Sequence, residues 1–164
     1  MYKNKEGLLV LSGGNNSILK YSNGNNITSQ SASFVADFKK EFIDNFYIEI
    51  QRIEGNDYRI DEEVILNLAY DNNIPVVATN DVYFEGPDHF EAHDALMCIE
   101  KKLFVSQKDR KRLSKNHYFK SQIEMQEVFS DIPEALFNTI EIAQRCSHRP
   151  KIKMPVLPSY HNDD

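Results

Sequence analysis

Pro75-Val76-Val77-Ala78-Thr79-Asn80-Asp81 is a short apolar, β-branched run that stops on two polar residues, and it reads as a buried strand ending at a loop. Just upstream, residues 61–73 read as a helix that Asp61 can cap, with Val64, Ile65 and Leu68 inward. It follows the turn signal Gly55-Asn56-Asp57. Residues 46–51, rich in aromatic and β-branched side chains, form a second strand. Before that, a helix is expected from about Thr28 to Phe42, with Ala32, Val35, Phe38 and Phe42 on one stripe and a Ser or Thr as its N-cap. The first strand is residues 8–12, a continuous apolar run covered on both faces and closed by Gly13-Gly14-Asn15-Asn16. The three strands begin 38 and then 29 residues apart with a helical stretch in each gap. That is the spacing of consecutive right-handed βαβ units and of a parallel α/β sheet.

Beyond Asp81 the pattern becomes helical. Pro87 opens a helix to about Lys102 with the stripe Ala92, Leu96, Ile99 and Leu103. Ser121-Gln122-Ile123-Glu124 is a capping box for a short helix to about Phe129, and Pro133 opens a last helix carrying Leu136, Ile140 and Ala143. The tail from His148 holds three of the six prolines and is expected to be extended. The organisation expected is therefore residues 6–100 as a β/α unit, 101–147 as a helical extension and 148–164 as a linker or tail. Three strands cannot close a barrel, which takes about eight. The sheet is a part of a larger α/β domain, and its apolar faces and edges call for covering by other chain segments or by self-association.

The 164 residues carry 19 Lys+Arg against 25 Asp+Glu, a net charge of −6. That balance excludes a free-standing module that holds nucleic acid through a general excess of cations; any such contact must be local. No apolar run approaches the roughly 20 residues that span a bilayer, and no signal-peptide core follows the first five residues, so a soluble cytoplasmic chain without membrane contact is expected. Cys98 and Cys146 lie 48 residues apart in helical stretches. They form neither a redox pair nor a zinc knuckle and read as buried reduced thiols.

Parallel sheets keep their chemistry at the carboxyl ends of the strands. Those ends are Gly13-Gly14, Gln51-Arg52 and Asn80-Asp81. Asp81 is the best single candidate for a metal ligand, although the same carboxylate can cap the following turn. His89 and His93, four apart on a helix beside Asp88 and Asp94, can face one metal or form a surface pair. The order of the residues between them is not that of a helical zinc protease. Gly13-Gly14 lacks a phosphate-loop signature and reads as a turn. Lys108-Asp109-Arg110-Lys111-Arg112 carries a net charge of +3 over five residues. Arg110, Lys111 and Arg112 can therefore touch a nucleic-acid backbone or a partner protein, or simply form a solvated loop. The same holds for Lys115-Asn116-His117-Tyr118-Phe119-Lys120, whose aromatics read as core. No Ser-His-Asp or Cys-His arrangement is legible.

The strings Gly7-Leu8-Leu9-Val10-Leu11-Ser12-Gly13-Gly14, Phe46-Tyr47-Ile48-Glu49-Ile50-Gln51-Arg52 and Pro75-Val76-Val77-Ala78-Thr79-Asn80-Asp81-Val82-Tyr83-Phe84 occur in that order. With Glu91-Ala92-His93-Asp94 and Phe129-Ser130-Asp131-Ile132-Pro133-Glu134-Ala135-Leu136 they resemble the bacterial replicative DNA polymerase III alpha subunit over residues 6–158. The resemblance implies the second part of an N-terminal PHP (polymerase and histidinol phosphatase) domain, an incomplete PHP-type β/α barrel followed by a helical segment leading to the polymerase palm. It implies as partners the remaining segments of the alpha subunit, the proofreading exonuclease subunit and other replisome proteins, with primer-template DNA reached only through the parent protein. The family's metal-binding members would place an aspartate and, two residues on, a histidine after the third strand, and another ligand after the first. Asp81 matches the aspartate, Tyr83 stands where the histidine would be, and Gly14 stands near the other ligand. Neither a phenol nor a glycine is a good ligand at neutral pH. The resemblance thus implies a degenerate, non-catalytic scaffold without a cofactor, with zinc or manganese present only if the vestigial site still binds. A residual PHP phosphoesterase using Asp81 with His89 or His93 is the enzymatic alternative, and a DNA- or replisome-protein-binding module is the other. The acidic palm motif needed for nucleotidyl transfer is absent from the sequence, so the chain alone is expected not to polymerise DNA.

Overall fold

A computed structural model describes residues 5–14, 19, 28–53 and 62–156. Its centre is a parallel sheet of β1 (Val10–Leu11), β2 (Phe46–Gln51) and β3 (Val76–Thr79) in that spatial order. Val10 and Leu11 lie opposite Phe46 and Tyr47, and Ile48 to Gln51 lie opposite Val76 to Thr79. The α/β reading therefore holds, with β2 covering the expected residues. The expectation of a first strand covered on both faces does not hold. β1 is only two residues long and half-buried, and Leu8 is exposed; among the described residues β1 is also an edge strand, with a neighbour on one side only.

α1 (Ser29–Phe42) starts where its cap dictates: the Thr28 hydroxyl accepts from the Ser31 amide at 3.1 Å. α2 (Glu62–Asp71) ends on Asn73 at φ 51°, a left-handed position that Asn tolerates. Its expected cap, Asp61, and the turn at 55–57 lie outside the described residues. Strand alternation sends Phe46, Ile48, Ile50, Val76 and Ala78 toward these helices, where they meet Val35, Phe38, Phe42, Ile65 and Ala69 in one core. The Phe38 ring lies 5.5 Å from Phe42 and 5.6 Å from Phe46. On α1 the buried stripe begins with Ser31 rather than Ala32, which is exposed, since the Ser31 hydroxyl shares the capping hydrogen bond with Thr28 at 2.9 Å.

After a 3-10 turn at Pro87–His89, α3 (Phe90–Lys101) buries Phe90, Asp94 and Cys98. The expected stripe faces the other way: Leu96 and Ile99 are 61% and 75% exposed, and Ala92 and Leu103 are exposed as well. A charge is the inward group here because it has a buried partner, described below. α4 (Gln122–Val128) carries the capping box in full. α5 (Pro133–Arg145) brings Ala135 into the central core beside Phe129 and Ile132, while of the apolar residues noted on this helix Leu136 is half-buried and Ile140 and Ala143 are exposed. α5 instead runs along the outer edge of β3, where the Asn138 amide donates to the Val76 carbonyl at 2.7 Å. The register directs that carbonyl away from β2. At the far end of α5, Arg145 donates to the Tyr47 hydroxyl at 2.7 Å and to the Asp44 carbonyl at 3.0 Å. Residues 147–156 are exposed and without regular structure, as the prolines require. Cys98 is buried, but Cys146, expected to be, is exposed at the end of α5. No helix among the described residues is long and apolar enough to cross a membrane.

Candidate functional site at the carboxyl ends of the strands

The sheet face turned away from α1 and α2 changes from apolar to polar along the strand direction. Tyr47 and Val77 are buried at its start, and Glu49, Gln51 and Thr79 follow two residues on. The Gln51 amide donates to a Glu49 carboxylate oxygen at 3.0 Å and to the Thr79 hydroxyl at 3.1 Å, and Thr79 donates in turn to the same Glu49 oxygen. Ser12 closes the group from β1's side, its hydroxyl accepting from the Glu49 amide at 3.0 Å. Gly14 lies against this network: a Cβ there would fall 1.9 Å from the Gln51 Oε1 and force the amide aside. Sequence reasoning placed Gln51 at a strand end but missed Glu49 and Thr79. The signal was their period-two placement opposite the core residues.

Arg52, at the end of β2, is a staple between elements. It pairs with Glu62 at 2.5 Å and with Asp131 at 2.5 Å, donates to the Val128 carbonyl at 2.6 Å and stacks 5.0 Å from the Phe129 ring centroid. The guanidinium holds the Asp131 carboxyl below its usual range.

The chain leaving β3 pairs with residues 117–119. The Asn80 side chain donates to the Tyr118 carbonyl at 2.6 Å, the Tyr83 amide to the His117 carbonyl at 2.9 Å, and the Phe119 amide to the Phe84 carbonyl at 3.0 Å. This long-range pairing buries His117 to 1% exposure, with its Nδ1 against Ser114 and its Nε2 3.9 Å from Asp81 Oδ2. Tyr83 stands edge-on to both His93 and His117, at 5.6 and 5.7 Å. The structure thus groups Asp81, Tyr83, His93 and His117. His89 is exposed beside Asp88, at 3.9 Å, and makes none of these contacts. Of this group only one carboxylate and one imidazole approach each other, Gly14 offers no donor, and no set of three His, Cys, Asp or Glu side chains among the described residues converges on a common point. Those residues do not fit the three or four protein ligands that zinc takes, nor the larger oxygen shell of manganese.

The basic run divides sharply. Arg110, offered by the sequence as a surface contact, has a side chain only 4% exposed, and it grips Asp94, also 4% exposed, through two parallel hydrogen bonds. A buried guanidinium requires a partner, and Asp94 on α3's inner face supplies it. The pair in turn holds the Asp94 carboxyl below its ordinary range. Arg112 sits over the Phe90 ring at 4.9 Å and pairs with both Glu91 and Asp94 at 3.1 Å. Lys111 and Arg112, with Lys101, Tyr83 and His93, line a small cavity of about 160 Å³. Further along, Phe119, expected in the core, is exposed. Tyr118 donates to Glu124, which raises the phenol above its usual range and lowers Glu124 to about 2.

No family model matches the chain. Among curated proteins, the DNA polymerase III subunit alpha of Caulobacter vibrioides is 40% identical over 162 residues, 99% of this chain and 14% of that protein. The subunit of the same name from Pasteurella multocida is 35% identical over 163 residues, 99% of this chain and 14% of its own length. That of Rickettsia bellii is 37% identical over 139 residues, 85% of this chain and 12% of its own length. The chain therefore spans a small part of the relatives it matches.

Proposed function

Because this chain belongs to the bacterial DNA polymerase III alpha subunit family over the segment it spans, we propose that it serves as a non-catalytic PHP-type scaffold within the replicative polymerase. In this reading its partners are the remaining segments of the alpha subunit, with the proofreading exonuclease subunit and other replisome proteins docking on the assembled domain. DNA synthesis is the work of the whole protein, in the cytoplasm.

The observation that carries this reading is the use to which the acidic side chains are put. Glu49 is bound by Gln51 and Thr79, Asp94 by Arg110 and Arg112, and Asp131 by Arg52. These carboxylates cross-link elements of the fold. At the positions that the family resemblance assigns to metal ligands, Tyr83 and Gly14 supply no suitable donor beside Asp81. A scaffold also accounts for the outward apolar residues Leu96, Ile99, Phe104, Phe137 and Ile140, which a surrounding polypeptide would cover.

Elemental analysis of the purified full chain, together with phosphoesterase and primer-extension assays, tests the proposal. Substoichiometric zinc and manganese with no turnover in either assay is the expected result. Stoichiometric metal with a phosphoesterase activity that chelation abolishes would establish a residual PHP enzyme instead, and extension of a primed template by the pure chain would overturn the reading outright.

A further inference from the structure

Beyond α5 the chain carries a pattern of period two. Ile152, Met154 and Val156 alternate with Lys151, Lys153 and Pro155, and the three apolar side chains stand almost wholly in water. That is the pattern of a strand with one covered face. The open side of β1 fits it. The Ser12 amide donates to the Tyr47 carbonyl and so faces β2, which turns the N–H and C=O of Leu9 and Leu11 to the other side. Among the described residues no strand pairs with them, and Leu8 beside them is exposed. The chain also arrives there in the right direction. Arg145, at the end of α5, reaches the Asp44 carbonyl at the amino end of β2, and Cys146 and His148 share a cavity of about 410 Å³ with Gly7, Leu8 and Leu9, immediately before β1. A strand that starts here and follows β1 is parallel to it. Glu141 and Arg145 both bond the Tyr47 hydroxyl, so this end of α5 lies on the sheet face opposite α1 and α2. The connections through α1 and α2 step from β1 toward β3. A return to the far side of β1 keeps the right-handed crossover only if its helix lies on the opposite face, as α5 does.

We propose that residues 151–154 dock on the open side of β1 as a fourth parallel strand, a strap formed by the chain's own tail. Two separate requirements set its parity. A tail residue whose amide and carbonyl bond Leu9 and Leu11 lies opposite Val10, with its side chain on the face that Val10 and Phe46 turn to the helices. Ile152 and Met154 suit that apolar face, and Lys151 and Lys153 then fall on the other. The same parity points the missing N–H of Pro155 away from the ladder, as an edge proline requires, while Pro150 precedes the paired residues. Only residues 149 and 150 separate His148, already beside Leu8, from the strap. Closure within one chain therefore has an effective concentration that a second copy does not match. The lysines and prolines of the docked strap oppose further pairing, so it ends the sheet, and a strand from any other source has to displace it. The strap does not depend on the scaffold reading, since neither metal nor activity enters it.

The test is residue-resolved amide hydrogen exchange by NMR on the purified full chain, at a low and a tenfold higher protein concentration. The expected result is exchange slowed by roughly tenfold or more at Leu11, Ile152 and Met154, with Lys151 and Lys153 exchanging as free chain, and the same pattern at both concentrations. Two proline variants sharpen it. Met154→Pro removes an N–H that faces β1 and should release Leu11 and Ile152, whereas Lys153→Pro removes one that faces away and should leave both protected. The amides of β2 report in each variant that the sheet itself is intact. Free exchange at Ile152 and Met154, protection on Lys151 and Lys153 instead, or equal release by both variants with β2 still protected would overturn the proposal. Protection that appears only at the higher concentration would overturn it too, and would assign the strand to a second copy. The alternation in the unsubstituted chain decides the matter even where a variant disturbs folding.

Discussion

The helix-facing side of the sheet and the region built on α3 are held together by different physics. In the first, Phe38, Phe42, Phe46, Ile48, Ile65 and Val76 meet in a continuous apolar core and polar groups are confined to caps. In the second, the inner face of α3 places Asp94, with Arg110 and Arg112 on it, between the buried Phe90 and Cys98, and His117 is buried against the Ser114 hydroxyl and carbonyl, while Leu96 and Ile99 of α3 point outward. Apolar burial is non-directional and roughly proportional to the area removed from water, so the first region is held by how much surface its residues bury together. Buried ion pairs roughly balance desolvation against attraction, so they fix geometry more than they add stability. The second region is thus positioned precisely enough to present a surface, yet depends on covering for part of its stability.

Substitutions in the two regions probe that contrast directly. Phe46→Ala, at a fully buried ring, should cost about 3–5 kcal/mol and shift the urea midpoint of the whole chain. Asp94→Asn strands a buried guanidinium and should cost about 3 kcal/mol. Its loss should appear first as faster hydrogen exchange in α3, with the amides of β2 and β3 still protected. If both variants lower protection everywhere equally, the two regions are one cooperative unit and the contrast fails.

Acid should separate the regions next. Asp94, Asp131 and Glu124 all have folded pKa values below their unfolded ones. The stability they contribute is complete above the ordinary carboxylate range and is lost as pH falls through the folded values; for Glu124 the window runs from 4.5 down to about 2. Urea midpoints should fall between pH 5 and pH 3, and Glu124→Gln should flatten part of that fall. An unchanged slope in this variant would remove Glu124 from the account. The smallest effect is expected from Ile99→Lys on α3's outer face, within about 0.5 kcal/mol. A larger loss would mean that the face is already covered within this chain.

The sequence reading was strongest where the determinants are local. The Thr28 cap, the Ser121 capping box and the β-branched run of β3 each carry their own instruction. It failed on α3 because a pattern of apolar residues cannot reveal that Asp94 turns inward: its partner lies 16 residues away in a run that reads as uniformly solvated. For the same reason Arg110 and Arg112 are indistinguishable in the sequence, yet in the structure, with both on Asp94, one side chain is buried and the other exposed. His117 and its approach to Asp81 depend on pairing between residues 80–84 and 117–119, a contact between segments with no strand pattern of their own. The polar face of the sheet was legible in principle, since Glu49 and Gln51 alternate with Ile48 and Ile50.

The hydrogen bond from Asn138 to the Val76 carbonyl has a directional consequence for assembly. With α5 lying along β3, that margin of the sheet is closed to strand addition. Beside Val10–Leu11 the described residues leave the ladder open. Among the described residues the sheet is a one-ended template: a further strand, from the same polypeptide or another, has one margin left to join.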